Sequence, residues 1–445
     1  MSIDLSLDRL RLAIQHLPKY TRPTCHVAGT NGKGSVTAII SSIFRSASPP
    51  LKVGRYNSPH LVSVTDCIII NDEPVDSEAY SSVRNRVERI DGELGTRLSN
   101  FELLTLTALQ IFEMLEVDVA VVEVGMGGRL DATNIIPDEA ILGSGLTSVD
   151  LDHQAFLGNT VSAIAREKAA IARPGKPFVI GEQKYPEAVE VANATVLENK
   201  ALIAPLLVPP RTAVSFRFPP FNKDITTELP LHGMHQIDNL ATALSIISVL
   251  LMNEHTLQST LLARLSPSSL RRGISDVQWR GRLSFHTISS PRPLSLLVDG
   301  AHNAASAETL ANYLQGMLSR SIEPVVDLVY IIALSHSPPK TPLDTLSPLL
   351  PPNLSDARVR FHVALINFSP PDGMPWVKPV APNATAEVVK ELVPEIDLWV
   401  ADQSEEPGTQ LRGAIRWGAE RIGDAGLIVI AGSLYLVADF YRSCV

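Results

Sequence analysis

The sequence predicts two α/β domains: a P-loop-type, mostly parallel sheet over 1–275, then a smaller Rossmann-like α/β domain over 276–445. Three observations predict it. Short apolar runs alternate with helix-spaced patterns along most of the chain, as parallel sheets with helical crossovers require. The glycine-rich stretch "GTNGKGS" (29–35) falls between a strand pattern and a helix pattern. The pattern breaks at "LSPSSLRRGIS" (265–275), where the domain boundary is placed, and a second strand series then begins. At 445 residues the chain exceeds one typical domain.

The elements follow in order. "TCHVAG" (24–29) reads as a strand and "SVTAIISSIFRSA" (35–47) as the helix after the glycine-rich loop. "VDVAVVEVG" (117–125) is a continuous apolar run suited to a strand buried on both faces. "AILGSGLTSV" (140–149), "KPFVIG" (176–181) and, more weakly, "ALIAPL" (201–206) continue the series. "TVSAIAREKAAIA" (160–172) carries Val161, Ile164, Lys168 and Ile171 at helical spacing. Residues 207–230 read as a linker or small excursion, and "DNLATALSIISVLLMN" (238–253) as a strong helix. In the second series, strands are expected at 294–300, 325–334, 358–366, 396–402 and 427–434, with a helix on "AASAETLANYLQGMLSR" (304–320). The proline-heavy 335–356 reads as a surface loop with one short helix.

Composition narrows the function classes. With 45% apolar and 19% charged residues, the chain can bury large cores. A formal net charge of −9, with no dense Lys/Arg run, argues against a nucleic-acid partner. Cys25, Cys67 and Cys444 are scattered, which matches a reducing compartment rather than a disulfide framework or zinc site. "MSIDLSLDRLRLAIQHL" lacks the basic-then-apolar order of a secretory signal, and its early acidic residues are unlike a mitochondrial transit peptide. No apolar run approaches the roughly 18 residues of a membrane span. A cytoplasmic monomer acting on small molecules, without membrane contact, is expected.

The glycine-rich loop departs from the usual G-x-x-x-x-G-K-[ST] spelling. Gly34 follows Lys33, the hydroxyl arrives late at Ser35, and the place of the first glycine falls on Val27. Its context still favours phosphate: backbone N–H groups and a helix N-terminus cradle the oxygens, and Lys33 reaches the terminal phosphates. Glu123 ends an apolar strand, where a carboxylate is costly unless paired or metal-bound. It is either an oxygen ligand for Mg²⁺ or one half of an ion pair with Arg129 or a lysine. A dinucleotide fingerprint from Gly125 fails at Leu130. His153, beside Asp152, is either a second metal ligand or a hydrogen-bonded loop histidine. Lys168 is either a snorkelling lysine or a functional one. In the second domain, Asp299, His302 and Asn303 in "LVDGAHNAAS" (297–306) form either a site or a capped turn closed by Asn303 or Ser306. Arg280 and Arg282 in "WRGRL" (279–283) could close onto phosphate.

The ordered strings "GTNGKGS", "NSPHL", "FELLT", "EVGMGGRLDATN", "LDHQAFLGNT", "EKAAI", "HGMHQIDN", "WRGRL" and "DGAHN" resemble the folylpolyglutamate synthase and dihydrofolate synthase family of the Mur ligase superfamily. They run from residue 29 to 303 and are specific as a set. "NFSPPDGMPW" and "GSLYL" extend a looser likeness, nearest to fungal-type dihydrofolate synthases, towards the C-terminus. Arg280 stands where the family often has proline.

The resemblance implies an ATP-dependent, amide-forming ligase. A pterin carboxylate becomes an acyl phosphate, and the amine of L-glutamate displaces phosphate. It implies dihydrofolate synthase, acting on dihydropteroate, with folylpolyglutamate synthase as the alternative that shares every catalytic string. By the same resemblance Asn31, Gly32, Lys33, Gly34 and Ser35 would bind the ATP phosphates, with Asn239, Arg282 and Asp299 as further ATP contacts. Ser58, Glu123 and His153, with Ser35 nearby, would hold Mg²⁺, and a monovalent cation would accompany it. Lys168 would be carried as a carbamate, and His302 would sit near the glutamate site. Leu7, Asp8, Leu130, Asp131, Ala132 and Thr133 would line the pterin pocket. Two other classes stand against this: a P-loop kinase with a hydroxyl acceptor, which leaves "DGAHN" unexplained, and a silent nucleotide-binding regulator, which has no need of Lys33, Glu123, His153 and Lys168 together.

Overall fold

The computed structural model describes residues 6–207, 214–253, 259–289, 292–320, 325–336, 338–352, 359–371, 374, 376–423 and 426–444. They form two compact units, Met1–Trp279 and Arg280–Val445. In the first, α1 (Asp8–Ile14) precedes β1 (Thr24–Ala28) and α2 (Lys33–Arg45). β2 (Val53–Tyr56), β3 (Ile68–Ile70) and β4 (Glu73–Pro74) lead to α3 (Ser77–Leu94) and α4 (Asn100–Met114). β5 (Val119–Glu123), β6 (Ile141–Leu146), α5 (Gln154–Leu157) and α6 (Val161–Ala169) follow. β7 (Pro177–Ile180), α7 (Pro186–Glu198) and β8 (Leu202–Ala204) complete the sheet. The hairpin of β9 (Ser215–Phe218) and β10 (Lys223–Thr226) precedes α8 (His235–Met252), α9 (Ser259–Leu262) and α10 (Pro267–Ser275).

The sheet order is β4-β3-β2-β5-β1-β6-β7-β8, parallel except at β3 and β4. Strand alternation sends successive side chains to opposite faces, and each face has its own core. Val119 and Val121 of β5 pack with Ile39, Ile43 and Leu244, under α2 and α8. Ala120 and Val122 pack with Leu106, Leu109 and Phe112 of α4 on the other face. That double burial is why β5 is apolar from Val119 to Val122.

Several regions differ from the sequence expectation. The stretch between α2 and β5 carries three strands and two long helices. α4 starts on a Ser99–Glu102 capping box, and α3 starts on Asp76, whose carboxylate accepts from Glu78 N and Ala79 N. Residues 215–226 form a hairpin rather than a linker, because Phe216, Phe218 and Ile225 insert into the α2–α8 core. α8 is long and apolar enough to cross a bilayer, contrary to the expectation that no such run exists. Its apolar residues are instead consumed by the core. The break at 265–275 is a helix, started by the Ser266 cap and by Pro267 in its first turn. It packs on α2, so the first unit runs past Ser275 to Trp279.

The second unit contains β11 (Ser284–Ile288), β12 (Leu294–Val298), α11 (Ala304–Leu318) and β13 (Val326–Ile332). α12 (Pro342–Leu346), β14 (Val359–Leu365), α13 (Pro382–Leu392) and β15 (Asp397–Val400) follow. α14 (Pro407–Ala419), β16 (Leu427–Ala431) and α15 (Leu434–Cys444) close it. Its order is β11-β12-β16-β13-β14-β15, parallel apart from β11. The stretch expected to be a surface loop is partly core: Leu346, Leu349 and Leu350 are buried.

Gly273 of α10 tests the α10–α2 contact. A Cβ there would stand 2.5 Å from Ile43 Cα and 2.8 Å from Ile43 N, both backbone atoms that cannot swing away. Alanine gains about 1 kcal/mol of helix propensity over glycine, but overpacking costs about 1–3 kcal/mol. Gly273→Ala is therefore expected to lower stability on balance, read as a lower urea midpoint with an unchanged m-value.

Candidate active site

β1 ends between β5 and β6, the strands on either side of it, so their C-terminal ends open one crevice at the middle of the sheet. The loop leaving β1 is tied to the end of β6: Thr30 N donates to Ser148 O at 2.8 Å, and Thr147 N to Ala28 O at 2.8 Å. Gly32 then N-caps α2 at φ +92°, a conformation suited to glycine. Among the described residues no side chain caps this helix, so its first-turn N–H groups and positive dipole end could take an anion. A Cβ on Gly32 would overlap Asn239 Oδ1 of α8. Asn239 is itself steadied by Nδ2 donating to Gln236 Oε1 at 2.9 Å.

Gly34 has a steric explanation. A Cβ at this position would overlap the indole of Trp279, which lies across the loop. The Arg55 guanidinium of β2 stacks 5.2 Å from the centre of the same ring. The hydroxyl residue of the common spelling has no room beside Lys33, and Ser35, one place on, is buried in the first turn of α2.

Ionisable groups converge beneath the loop. Val27 pairs in register with Glu123, which is 6% exposed at the end of β5. Lys33 Nζ lies 3.7 Å from Glu123 Oε1 and donates to Thr30 O at 3.1 Å. Glu123 Oε2 accepts from Asn57 Nδ2 at 2.6 Å. Lys168 of α6 is 2% exposed, and its Nζ donates to Gly29 O at 2.8 Å. Burial, helped by the charge of Lys33 and opposed by Asp152, Asp131 and Glu123, pushes the Lys168 amine down to about 7. Snorkelling is excluded for a side chain so enclosed. Near neutral pH such an amine is partly unprotonated.

The segment after β5 is riveted to α6. Arg129 pairs with Glu167 at 3.0 Å, and its N–H donates to Glu167 O at 2.9 Å. Arg173 holds Asn134 and Asp138 from the other side. Asp131 accepts from Met126 N and Thr133 N, while Thr133 Oγ1 lies 2.8 Å from His26 Nε2 of β1. Burial, with the charge of Arg173, pushes the His26 ring down to about 3, so it is neutral. Asp131, Ala132 and Thr133 are thus turned inward, and of the four expected pterin-lining positions here only Leu130 presents its side chain, 36% exposed. Leu7 likewise lies in the core of that face, and Asp8 is exposed and paired with Arg11. α1 nonetheless packs against the turn Ala132–Ile135, bringing both predicted pterin segments together.

In the second unit, Asp299 follows β12. It accepts from Leu283 N and Ala301 N, each at 2.8 Å, and burial pushes its carboxyl up against the charge of Arg282. Both its oxygens are therefore engaged by the backbone, and what it sets is the position of the 281–283 segment, including Arg282. His302 Nδ1 lies 2.9 Å from Gly300 O. A carbonyl can only accept, so Nδ1 carries a proton. Lys340 Nζ and Thr345 Oγ1 donate to His302 O. Asn303 forms a capping box with Ser306, so the capped turn is real and holds His302 in place.

For a divalent cation, the first unit offers hard oxygens: the Glu123 carboxylate, the hydroxyls of Ser35 and Ser58, and Asn57 Oδ1, buried without a hydrogen-bond partner among the described residues. Among the described residues no three His, Cys, Asp or Glu side chains converge as a cage. This donor set fits Mg²⁺, which keeps waters and substrate phosphates as ligands. His153 sits at φ +50° with a 44% exposed side chain, 3.8 Å from Asp152. Asn57, Thr37 and Trp279 carry the geometry but were not singled out in the sequence. Asn57 and Trp279 lay inside the quoted strings "NSPHL" and "WRGRL".

The crevice has the form of a phosphate-loop site, a glycine-rich turn and helix N-terminus above a buried lysine and carboxylate. Residues 282–443 match the family described as dihydrofolate synthetase, C-terminal domain. The dihydrofolate synthetase of Saccharomyces cerevisiae is 33% identical over 467 residues, covering 99% of this chain and 98% of its own. The probable dihydrofolate synthetase of Schizosaccharomyces pombe is 32% identical, with 99% of each chain covered. Escherichia coli FolC in complex with DHPP and ADP superposes with a TM-score of 0.76 at 27% identity, covering 99% of this chain and 94% of that one. The chain belongs to the dihydrofolate synthase and folylpolyglutamate synthase family. It is an ATP-dependent ligase of folate glutamate ligation.

The depressed Lys168 pKa has a stability signature. Between pH about 7 and 10.5 the unfolded chain holds a proton on Lys168 that the folded chain lacks, so stability rises with pH across that window. Relative to Lys168→Met, the protein in CO₂-depleted buffer is expected to gain about 2–3 kcal/mol of unfolding free energy from pH 7.5 to 9.5. Denaturant titrations at the two pH values check it.

Proposed function

We propose that the chain adds the first glutamate to 7,8-dihydropteroate, making dihydrofolate, ADP and phosphate. A carboxylate oxygen of the pterin acid attacks the γ-phosphorus of ATP and ADP leaves. The glutamate amine then attacks the acyl carbon and loses a proton, and the acyl C–O bond breaks so that phosphate leaves. The observation that carries this choice of acceptor is the full-length likeness to the two yeast dihydrofolate synthetases. The second reading, extension of a glutamate chain on tetrahydrofolate, is favoured by the likeness to Mycobacterium tuberculosis folylpolyglutamate synthase complexed with ADP, at 27% identity and a TM-score of 0.76.

In this reading the uncapped start of α2 and Lys33 bind the ATP phosphates, and Lys33 exchanges its loose contact with Glu123 for them. Glu123, Ser58, His153 and Ser35 hold Mg²⁺, which would neutralise charge building up on the phosphates. A solved bifunctional folylpolyglutamate synthase/dihydrofolate synthase with Mn, AMPPNP and L-glutamate bound, 25% identical with a TM-score of 0.75, supports the divalent cation. Lys168 attacks CO₂ and loses a proton, turning a buried amine into an anionic carbamate beside Lys33. A monovalent cation, implied by the family likeness, completes the charge balance. Arg282 and His302 serve ATP and glutamate, and the chain works as a cytoplasmic monomer without nucleic acid or membrane.

Glutamate-dependent ADP release is expected with dihydropteroate as acceptor. Turnover with tetrahydrofolate alone would overturn the choice, and ADP release independent of glutamate would point to a kinase. For Lys168, carbon-13 bicarbonate is expected to give a carbamate carbonyl NMR signal that Lys168→Ala lacks. The same spectrum from both proteins would remove the carbamate from this site.

A further inference from the structure

We propose that Asn57 is a positioning residue for the cation site: its amide locks the Glu123 carboxylate to the phosphate-loop helix and so sets the affinity for the divalent cation. The proposal rests on the reading of Glu123 as a cation ligand. Asn57 directly follows β2, is 5% exposed, and its backbone N–H donates to Cys67 O at 3.0 Å, which fixes its place. Nδ2 has two hydrogens and spends both. One goes to Thr37 Oγ1 of α2 at 2.7 Å, the other to Glu123 Oε2 of β5 at 2.6 Å. Thr37 Oγ1 donates onward to Gly34 O at 2.9 Å, so it meets Asn57 only as an acceptor.

The bonds therefore run from the phosphate loop, through Thr37 and Asn57, to Glu123, and return by Lys33 to Thr30 O. Turning the amide over would set its oxygen against two acceptors, so this network admits one orientation. A serine or threonine here has a single hydroxyl hydrogen and could serve one acceptor only. An aspartate could serve neither and would set a second negative charge beside Glu123. Partners of metal ligands typically contribute a factor of about 10–100 to metal affinity by fixing ligand orientation. Asn57 fills that role from the strand next to Glu123, with its amide oxygen left as an acceptor for a water of the hydrated cation.

The test is a manganese titration by electron paramagnetic resonance, with a non-hydrolysable ATP analogue present. Asn57→Ala is expected to raise the Mn²⁺ dissociation constant about tenfold or more, while affinity for the analogue in EDTA stays at the parent value. Thr37→Val leaves Asn57 in place and removes only its anchor, so a smaller loss in the same direction is expected. It carries the test should Asn57→Ala fail to fold by circular dichroism. Asn57→Ser, with one donor restored, should fall between the parent and the alanine variant. Parent-like Mn²⁺ affinity in both Asn57→Ala and Thr37→Val overturns the proposal. Glu123→Gln separates the two levels. If it leaves Mn²⁺ binding unchanged, the ligand reading fails and the proposal with it. If it abolishes binding while Asn57→Ala does not, the positioning role alone fails.

Discussion

Burying ionised side chains at the end of β1 is the constraint that the rest of the first unit answers to. An unpaired charge in a protein interior costs several kcal/mol, and Glu123, Lys33 and Lys168 all sit within reach of one another beneath the phosphate loop. Each is relieved differently. Glu123 takes an amide hydrogen from Asn57, Lys33 shares itself between Glu123 and a loop carbonyl, and Lys168 donates to Gly29 O while burial pushes its amine down to about 7. Of these contacts the Lys33–Glu123 pairing is the loose one, at 3.7 Å. The site is held in a state that polyanionic substrates and their cation would improve, which is how an ATP-dependent enzyme gains binding energy where it is needed.

The two-faced core supplies the rigidity that such a site requires. α2, which presents the phosphate loop, is clamped by α8 and α10 on one face of the sheet, while α4 braces β5 from the other. The strands that carry Glu123 and the loop lysine therefore cannot shift independently. In the second unit, Asp299 does a comparable task with backbone donors, joining the 281–283 segment to the turn that carries His302.

Legibility in the sequence followed burial. β5, β6 and β13 are buried along their length and read as mostly apolar runs, interrupted only by Glu123 at the end of β5, Ser144 in β6 and Asp327 in β13. β2 was not legible because Gly54 and Arg55 interrupt its pattern, and Arg55 is reconciled with burial by stacking on Trp279 and by the charges of Asp72 and Glu123. The β9–β10 hairpin and α10 were hidden by proline, serine and arginine on their exposed sides. In the site, Lys33, Glu123 and Lys168 stood out because their types are costly in apolar settings. The contacts of Asn57 with Glu123 and of Trp279 with Gly34 join distant parts of the chain, and no local pattern encodes them. Asp131 and Thr133 were conspicuous as a motif, and their side chains bond to each other within the loop.

The indole lying over Gly34 has one more consequence. The chain has four tryptophans, and Trp279 alone belongs to the first unit, the others being Trp376, Trp399 and Trp417. Its ring touches the glycine-rich loop and is stacked by a guanidinium, two influences that alter indole emission. If that loop is the nucleotide site proposed above, the chain carries a native optical reporter there, and replacing the three tryptophans of the second unit would leave that signal in isolation.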